Sequence, residues 1–271
     1  MSPEDFEKLQ VLMASRAGYR LTRDRINLAT HRLGPVARRE GYDSVEALLE
    51  ALWAKPVASL GWAVIEALLN PETWFFRDRS AFHSLGREIL PAIAARGTNQ
   101  RISIWSAGCG AGQEVWSLAL TAHKAGVPVE VVGTDLNARS LEKARQGTYT
   151  GFEIQRGLAA RAMLDGFEQS EDLWSARPAL RDGIRFARAN LLDPPTDAVK
   201  FDIIFCRHVL ADTDPAKRGQ LVDNLAERLK SGGLLFLAPD ESPEGDSLAF
   251  RAVAGRKGMF VKAADHLIRA A

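Results

Sequence analysis

The chain has 271 residues, of which 46% are hydrophobic and 25% charged, and its formal net charge is +1. That balance is ordinary for a globular protein that buries its core without covalent help, and the length suits one medium domain plus a small one. Bulk charge gives no reason to invoke nucleic acid or membrane insertion. Two cysteines, Cys109 and Cys206, are too few for a disulfide framework or a four-thiolate zinc site, and the five histidines lack metal-ligand spacing, so no metal is expected.

Residues 1–70 read as helices only. Ser2, Pro3 and Asp5 predict a capped helix start, Phe6, Leu9 and Met13 recur at helical spacing, and Gly18 is the expected stop. A second helix is expected after Thr22, with Ile26, Leu33 and Val36 on its apolar side. Asp43 with Glu46 predicts a third start ahead of Val45, Leu48, Leu49 and Leu52, and Val57 to Leu69 a fourth helix. A small helical domain over 1–70 is therefore expected. Within it Arg16, Arg20, Arg23, Arg25, Arg32, Arg38 and Arg39 fall close together, with Asp24 and Glu40 as the only acids among them. They read either as a solvated helix face or as a docking surface for an acidic partner. The acidic start, Met1 to Asp5, lacks the regions of a signal peptide, and no apolar run reaches a membrane-spanning length. With thiols reduced by default, a cytoplasmic location is expected.

After about residue 95 short apolar runs alternate with amphipathic helices, which predicts βαβ units and an open parallel sheet over 71–271. Strands are expected at Ile102 to Trp105, Val129 to Gly133, Phe201 to Cys206 and Leu234 to Ala238. Helices are expected at Glu114 to Ala125, near Ser140 to Arg145, near Leu158 to Leu164, and from Pro215 through Leu221, Leu225 and Leu229 to a stop at Ser231-Gly232-Gly233. Around 171–188, Trp174, Leu180 and Phe186 stand between turn residues, and short antiparallel strands forming a small β subdomain are expected there. A turn at Pro243-Glu244-Gly245 and an apolar run at Met259-Phe260-Val261 complete the chain's pattern.

Open α/β sheets bind ligands at the carboxyl ends of their strands, and four features fall there. Ser106-Ala107-Gly108-Cys109-Gly110-Ala111-Gly112 follows the first strand, with glycines that let backbone approach a ligand. Its G-x-G-x-G spacing fits the dinucleotide fingerprint poorly, because Gln113 stands where the last glycine belongs. Glu114 at the helix start is electrostatically at home there, would repel a pyrophosphate, and suits the cationic end of a ligand carrying an amino group or sulfonium; the bland alternative is a simple helix-start acid. Asp135, past the second strand, is placed to accept the ribose hydroxyls of an adenosine, or is a mere turn residue. Asn190-Leu191-Leu192-Asp193 offers an amide and backbone groups to an adenine edge. Arg207-His208-Val209-Leu210 borders the place where a methyl donor and its acceptor would meet. Together, in this order, the four point to S-adenosylmethionine.

The sequence resembles the CheR-type chemoreceptor glutamate methyltransferases along nearly its whole length. The resemblance is carried by Arg16 to Leu21 with His31-Arg32-Leu33, by Glu72-Thr73-Trp74-Phe75-Phe76-Arg77-Asp78, by Ile104 to Glu114 with Ser117, and by Gly133-Thr134-Asp135 with Leu141, Ala144 and Arg145. Arg156-Gly157-Leu158, Asn190-Leu191-Leu192 and Phe201 to Arg207 continue it. It implies a class I methyltransferase, Rossmann-like open sheet behind the helical domain, with S-adenosylmethionine as cofactor and S-adenosylhomocysteine as product. It implies cofactor contacts from Thr73, Arg77, Glu114, Asp135, Asn190 and Leu191, beside which the loop positions make Gly108, His208 and Val209 candidates, and it implies a chemoreceptor or related signalling protein as acceptor, faced by the N-terminal arginines. The pattern departs from the family at Pro71, His208, Asp212 and Pro239-Asp240-Glu241, where members usually carry asparagine, asparagine, tyrosine and His-Ser-Glu.

A glutamate carboxylate is already ionised near neutral pH, its reference pKa being about 4.3, so its methylation needs alignment and water exclusion rather than a general base. Arg77, whose planar fork suits a carboxylate, is the candidate catalytic residue, against the alternative of a surface ion pair with Asp78 or Asp240. Asp212 adds a negative charge on the acceptor side and is expected to slow glutamate methylation. Two further readings stand beside the enzyme: a non-catalytic or weakly active S-adenosylmethionine-binding signalling module, and a nicotinamide-dependent oxidoreductase, which the glycine spacing and Glu114 disfavour. A monomer is the simplest oligomeric reading.

Overall fold

The computed structural model describes residues 1–55, 57–97, 100–194 and 199–263. The chain divides into two compact units, Met1–Asn70 with Asp212–Arg218, and Pro71–Ala211 with Gly219–Ala271.

The first unit holds helices α1 (Pro3–Ala17), α2 (Ile26–Arg39), α3 (Val45–Ala54) and α4 (Ala58–Leu68). Ser2 caps α1 by accepting from the Asp5 N–H, and Gly18 ends it in the left-handed conformation at φ 64°. The third start differs from expectation: Ser44, between Asp43 and Glu46, is the cap, accepting from the Ala47 N–H. Phe6, Leu9, Met13, Leu33, Val36, Leu48, Leu49 and Leu52 are buried. The segment at 212–218 joins this unit through backbone bonds, with the Arg20 N–H donating to the Asp212 carbonyl at 2.8 Å and the Asp214 N–H to the Gly18 carbonyl at 2.7 Å.

The arginine cluster separates into two sets here. Arg25 pairs with Asp212 and reaches the Tyr19 hydroxyl, and Arg32 donates to the Leu68 and Leu69 carbonyls. Arg16, Arg20, Arg23, Arg38 and Arg39 are exposed. Asp212 accepts from Asn70 at 3.0 Å and from Arg25 at 3.3 Å. The negative charge that the sequence expectation assigned to the acceptor side is therefore balanced by Arg25 inside this unit.

The second unit opens with α5 (Arg79–Ser84), a π-helical turn at Leu85–Ile89 and α6 (Leu90–Ala94), a helical stretch the sequence pattern does not announce. Pro91 explains the wide turn: its ring would clash with the carbonyl four residues back in a regular α-helix. Then come β1 (Ile102–Ala107), α7 (Gln113–Ala125), β2 (Val129–Asp135), α8 (Ala138–Gln146), β3 (Thr148–Thr150), α9 (Gly151–Gln155) and α10 (Ala160–Gly166). β4 (Phe167–Ser170), β5 (Leu173–Ala176), α11 (Pro178–Arg181), β6 (Ile184–Arg188) and β7 (Phe201–Phe205) follow. The chain continues with α12 (Pro215–Arg228), β8 (Leu229–Phe236), β9 (Phe250–Ala252) and β10 (Met259–Lys262).

Seven strands form one sheet in the order β6-β2-β1-β7-β8-β10-β9. The first five are mutually parallel, and β10 runs antiparallel to both β8 and β9. This is a Rossmann-like order of the class I methyltransferases, with the antiparallel strand inserted next to the edge. Alternation along the strands sends Trp105, Ala107, Ile204 and Leu235 to one face, against Leu221, Val222 and Leu225 of α12. Ile102, Ile104, Ile203 and Phe205 face the other way, against Val115, Leu118 and Ala122 of α7 and against Phe82, Leu85 and Leu90. The strand order reverses between β1 and β7, which makes their carboxyl ends the topological switch point.

The antiparallel subdomain sits earlier than expected. Its three strands, in the order β3-β5-β4, lie within 148–176, and the Phe186 run is instead the parallel edge strand β6 of the main sheet. Register decides the matter: Gly133 pairs with Phe186 and Asp135 with Arg188, so β6 extends the β2 edge. Phe75, Trp116, Tyr149, Phe167 and Leu180 fill a separate core beneath the small sheet.

Candidate functional site

Every predicted cofactor residue lies in the second unit: Gly108, Asn190, Leu191, His208 and Val209 on loops at the carboxyl ends of strands, Asp135 at the end of β2, Glu114 in the first turn of α7, and Thr73 and Arg77 ahead of α5. The glycine loop leaves β1 with Gly108 at φ 79°, Gly110 at φ 55° and Gly112 at φ 90°, a region closed to most L side chains. Crowding adds to this. A Cβ on Gly108 would stand 2.7 Å from Val209 Cγ2, and one on Gly112 2.8 Å from Ala144 Cβ. The loop is pinned from β2 by the Thr134 carbonyl, which accepts from the Gly108 and Cys109 N–H groups at 2.8 and 2.9 Å. Tyr149 donates to the Ala111 carbonyl at 2.7 Å.

Asp135 ends β2, and its two oxygens accept from the backbone N–H groups of Gly110 and Asn137, each at 2.8 Å. Those bonds fix the carboxylate plane beside the glycine loop, and a carboxylate has further acceptor capacity for hydroxyl groups. After β6, the Asn190 side-chain oxygen accepts from the Leu192 N–H at 3.2 Å, and the Leu191 carbonyl accepts from Asn224 at 2.9 Å. Thr73 packs toward Gly110, where a Cβ would meet its Cγ2 at 3.3 Å.

Glu114 lies in the first turn of α7. One oxygen accepts from the Ser106 hydroxyl at 2.7 Å and the other from Arg207 at 3.4 Å, and the side chain is 14% exposed. Burial pushes its carboxyl above the usual range, against the opposing pull of Arg207 and the Ser106 hydrogen bond. A recessed carboxylate at a helix start, beside a strand switch point, attracts a cation and repels phosphate.

Arg207, a motif residue in the sequence, is the hub of the bonds that join the loop after β7 to the stretch ahead of α5 and to Glu114. Its side chain is 1% exposed, and one terminal nitrogen donates at 2.6 Å to both the Arg77 carbonyl and Asp78 Oδ2. His208 Nε2 shares the same Asp78 oxygen at 2.8 Å. Asp78 is therefore taken by Arg207 and His208. Arg77 donates instead to the Glu72 carbonyl at 3.1 Å and lies 4.2 Å from the Trp74 ring, with Arg156 at 4.3 Å from the same ring. The expected alternative of an Arg77–Asp78 surface pair gives way to a guanidinium held on an aromatic platform.

Backbone strain concentrates here. Phe76 and Asp78 have φ 50° and His208 φ 60°, a cost of roughly 1–3 kcal/mol each for non-glycine residues. Each is held by a specific bond: the Phe76 N–H to Ser117 at 3.0 Å, Asp78 to Arg207, and the His208 N–H to Glu241 at 2.9 Å. Glu241, also missed from sequence, accepts from the His208, Ala211 and Ala238 N–H groups and ties the loop after β7 to the loop after β8. The one local signal for Arg207 was a cation directly after the buried run Phe201 to Cys206.

The strand order, the glycine loop at its switch point and the recessed acid at the start of α7 define an S-adenosylmethionine-dependent methyltransferase. Residues 71–259 match the family described as CheR methyltransferase, SAM binding domain. The chain is 30% identical over 250 residues to the chemotaxis protein methyltransferase Cher2 of Pseudomonas putida, covering 89% of this chain and 91% of that protein. It is 31% identical over 249 residues to chemotaxis protein methyltransferase 1 of Pseudomonas aeruginosa, covering 88% and 90%. The chemotaxis protein methyltransferase of Vibrio parahaemolyticus is 31% identical over 274 residues, covering 97% of this chain and 98% of that protein. The chain belongs to the CheR methyltransferase family. Among the described residues no helix is long and apolar enough to cross a membrane.

Proposed function

We propose that this methyltransferase esterifies glutamate carboxylates of a chemoreceptor or a related signalling protein. The acceptor oxygen forms a bond to the sulfonium methyl as the methyl–sulfur bond breaks, leaving a methyl ester and neutral S-adenosylhomocysteine. No proton moves, so the protein's task is alignment and desolvation, for which alignment alone contributes roughly 7–11 kcal/mol. Glu114 takes the amino group of the donor, Asp135 its ribose hydroxyls, Asn190 and Leu191 its adenine edge, and Gly108, Thr73, His208 and Val209 line the walls. Arg77, set on Trp74, orients the acceptor carboxylate without neutralising it in a bidentate lock.

The observation that carries this reading is the recessed Glu114 carboxylate, flanked by Ser106 and Arg207 at the start of α7. An acid there is unsuited to a pyrophosphate and suited to the ammonium of a methyl donor. The exposed arginines Arg16, Arg20, Arg23, Arg38 and Arg39 supply the surface for an acidic acceptor, while Arg25 and Arg32 are committed to internal partners. The test is transfer of labelled methyl from S-adenosylmethionine to a chemoreceptor cytoplasmic fragment, read as alkali-labile methanol. Label that appears with the wild-type protein and falls about a hundredfold with Arg77→Ala supports the reading, since that loss is about 2.7 kcal/mol of transition-state stabilisation. Donor binding without alkali-labile label on any receptor fragment would overturn the glutamate assignment.

A further inference from the structure

Arg207 lies between two parts of the site with different tasks. Toward the donor side it contacts the Glu114 carboxylate at 3.4 Å; toward the acceptor side it holds the Arg77 carbonyl and Asp78 at 2.6 Å. Its guanidinium stands 5.4 Å from the Phe82 ring, and its Nε has no hydrogen-bond partner among the described residues. A fully buried arginine is costly to desolvate and is retained where its fork is needed. Here the fork ties the loop after β7 to two other places in the chain: Arg77 and Asp78 ahead of α5, and Glu114 at the start of α7.

We infer that Arg207 is a positioning residue for methyl transfer, which keeps the Glu114 carboxylate anionic for the donor and at the same time fixes the strained turn that presents Arg77 to the acceptor. The inference rests on the proposed roles of Glu114 and Arg77. Asp78 is its counterweight. By balancing the guanidinium at 2.6 Å, it leaves a cationic ligand to meet Glu114 rather than Arg207.

The groups facing Glu114 are Arg207 and His208 from the loop after β7 and Ser106 from β1. The thiols of Cys109 and Cys206 also lie close, and burial pushes both well above their usual range, so they are neutral. Arg207 is the strongest of the influences that hold Glu114 down against burial. Removing its reach raises the Glu114 pKa, and donor binding then fails at a higher pH. Removing Asp78 leaves the guanidinium's field on Glu114 uncompensated and moves the failure to a lower pH. A merely structural arginine predicts neither shift.

The experiment is calorimetric titration with S-adenosylhomocysteine across pH, using wild type, Arg207→Lys, Asp78→Asn and Glu114→Gln. Lysine keeps the charge but cannot span three acceptors, so Arg207→Lys is expected to weaken binding about tenfold and to move the acidic limb up by about one pH unit. Asp78→Asn is expected to move the limb in the opposite direction, which keeps the test alive if Arg207→Lys does not fold. In the Glu114→Gln background both shifts are expected to vanish. In the transfer assay, Arg207→Lys is expected to raise the acceptor KM as well. An Arg207→Lys protein with the wild-type limb and affinity, or an Asp78→Asn limb that stays put or moves up, would overturn the inference while leaving the donor site standing. A wild-type protein that does not bind S-adenosylhomocysteine would overturn the functional reading itself, and the inference with it.

Discussion

Glu114 and Glu241 are two recessed carboxylates at the carboxyl edge of the same sheet, and they are satisfied differently. Glu241 is 8% exposed and accepts three backbone N–H groups, from His208 at 2.9 Å, Ala211 at 3.0 Å and Ala238 at 2.9 Å. Glu114 accepts one hydroxyl at 2.7 Å and a long guanidinium contact at 3.4 Å. The first is a knot whose acceptors are used in holding loops together. The second is under-coordinated, is pushed up in pKa by burial, and sits next to a cation already balanced by Asp78. Burial alone does not mark a functional acid; the distinction lies in how much acceptor capacity the fold leaves for a ligand.

Paired variants break or sharpen that contrast. Glu114→Gln is expected to weaken S-adenosylhomocysteine binding by about ten- to a hundredfold, the worth of a charge-assisted hydrogen bond of about 1.5–3 kcal/mol. It is not expected to cost stability at neutral pH. A carboxyl whose folded pKa is raised contributes its stability below the unfolded value and loses it as pH rises through the folded value, so above that range the ionised form is a burden the amide removes. Glu241→Gln is expected to do the reverse. It sets an amide N–H against backbone donors, destabilises by about 2–3 kcal/mol in a denaturant melt, and leaves ligand affinity within a few-fold. Gly112→Ala, which meets a φ of 90° and Ala144, is expected to cost about 2–3 kcal/mol in the same melt.

A smaller effect tests the sheet beneath the site. Burial pushes the Asp202 carboxyl up, but the hydrogen bonds from Lys230 and Ser103 outweigh it and hold the pKa below the usual value. A depressed carboxylate contributes stability above its unfolded pKa and loses it as pH falls through the folded one. The gap between wild type and Asp202→Asn, about 1 kcal/mol at neutral pH, is therefore expected to close below about pH 4, read from urea melts at several pH values. The smallest effect belongs to the helical unit. Asp212→Asn is expected to cost about 1 kcal/mol or less, because its partner Arg25 is part-exposed and screened.

How much of this was legible in the sequence follows from distance along the chain. The glycine loop, Glu114 and Asp135 are local signals, placed by a strand, a turn and a helix start within a few residues. The helical stretch at 79–94 escaped because Pro91 and a π-helical turn break its period. The small antiparallel sheet was expected too late because Phe186 carries a strand signal with no mark of its partner, and only register assigns β6 to the β2 edge. Arg207 and Asp78 stand 129 residues apart, and Glu241 lies 33 residues from the His208 N–H it accepts. No periodicity or spacing encodes such a meeting. The departure at Asp212 looked like a stray charge for the same reason: its partner Arg25 is 187 residues away.

The most direct measurement is calorimetric titration of the purified protein with S-adenosylhomocysteine beside an Asp135→Ala variant. Saturable binding by the wild type that the variant loses is the predicted result, since the variant removes the carboxylate assigned to the ribose hydroxyls together with the acceptor of the Gly110 N–H, while the loop keeps its bonds to the Thr134 carbonyl. No binding by the wild type, or equal binding by both proteins, would contradict the placement of the methyl donor between the glycine loop and the end of β2.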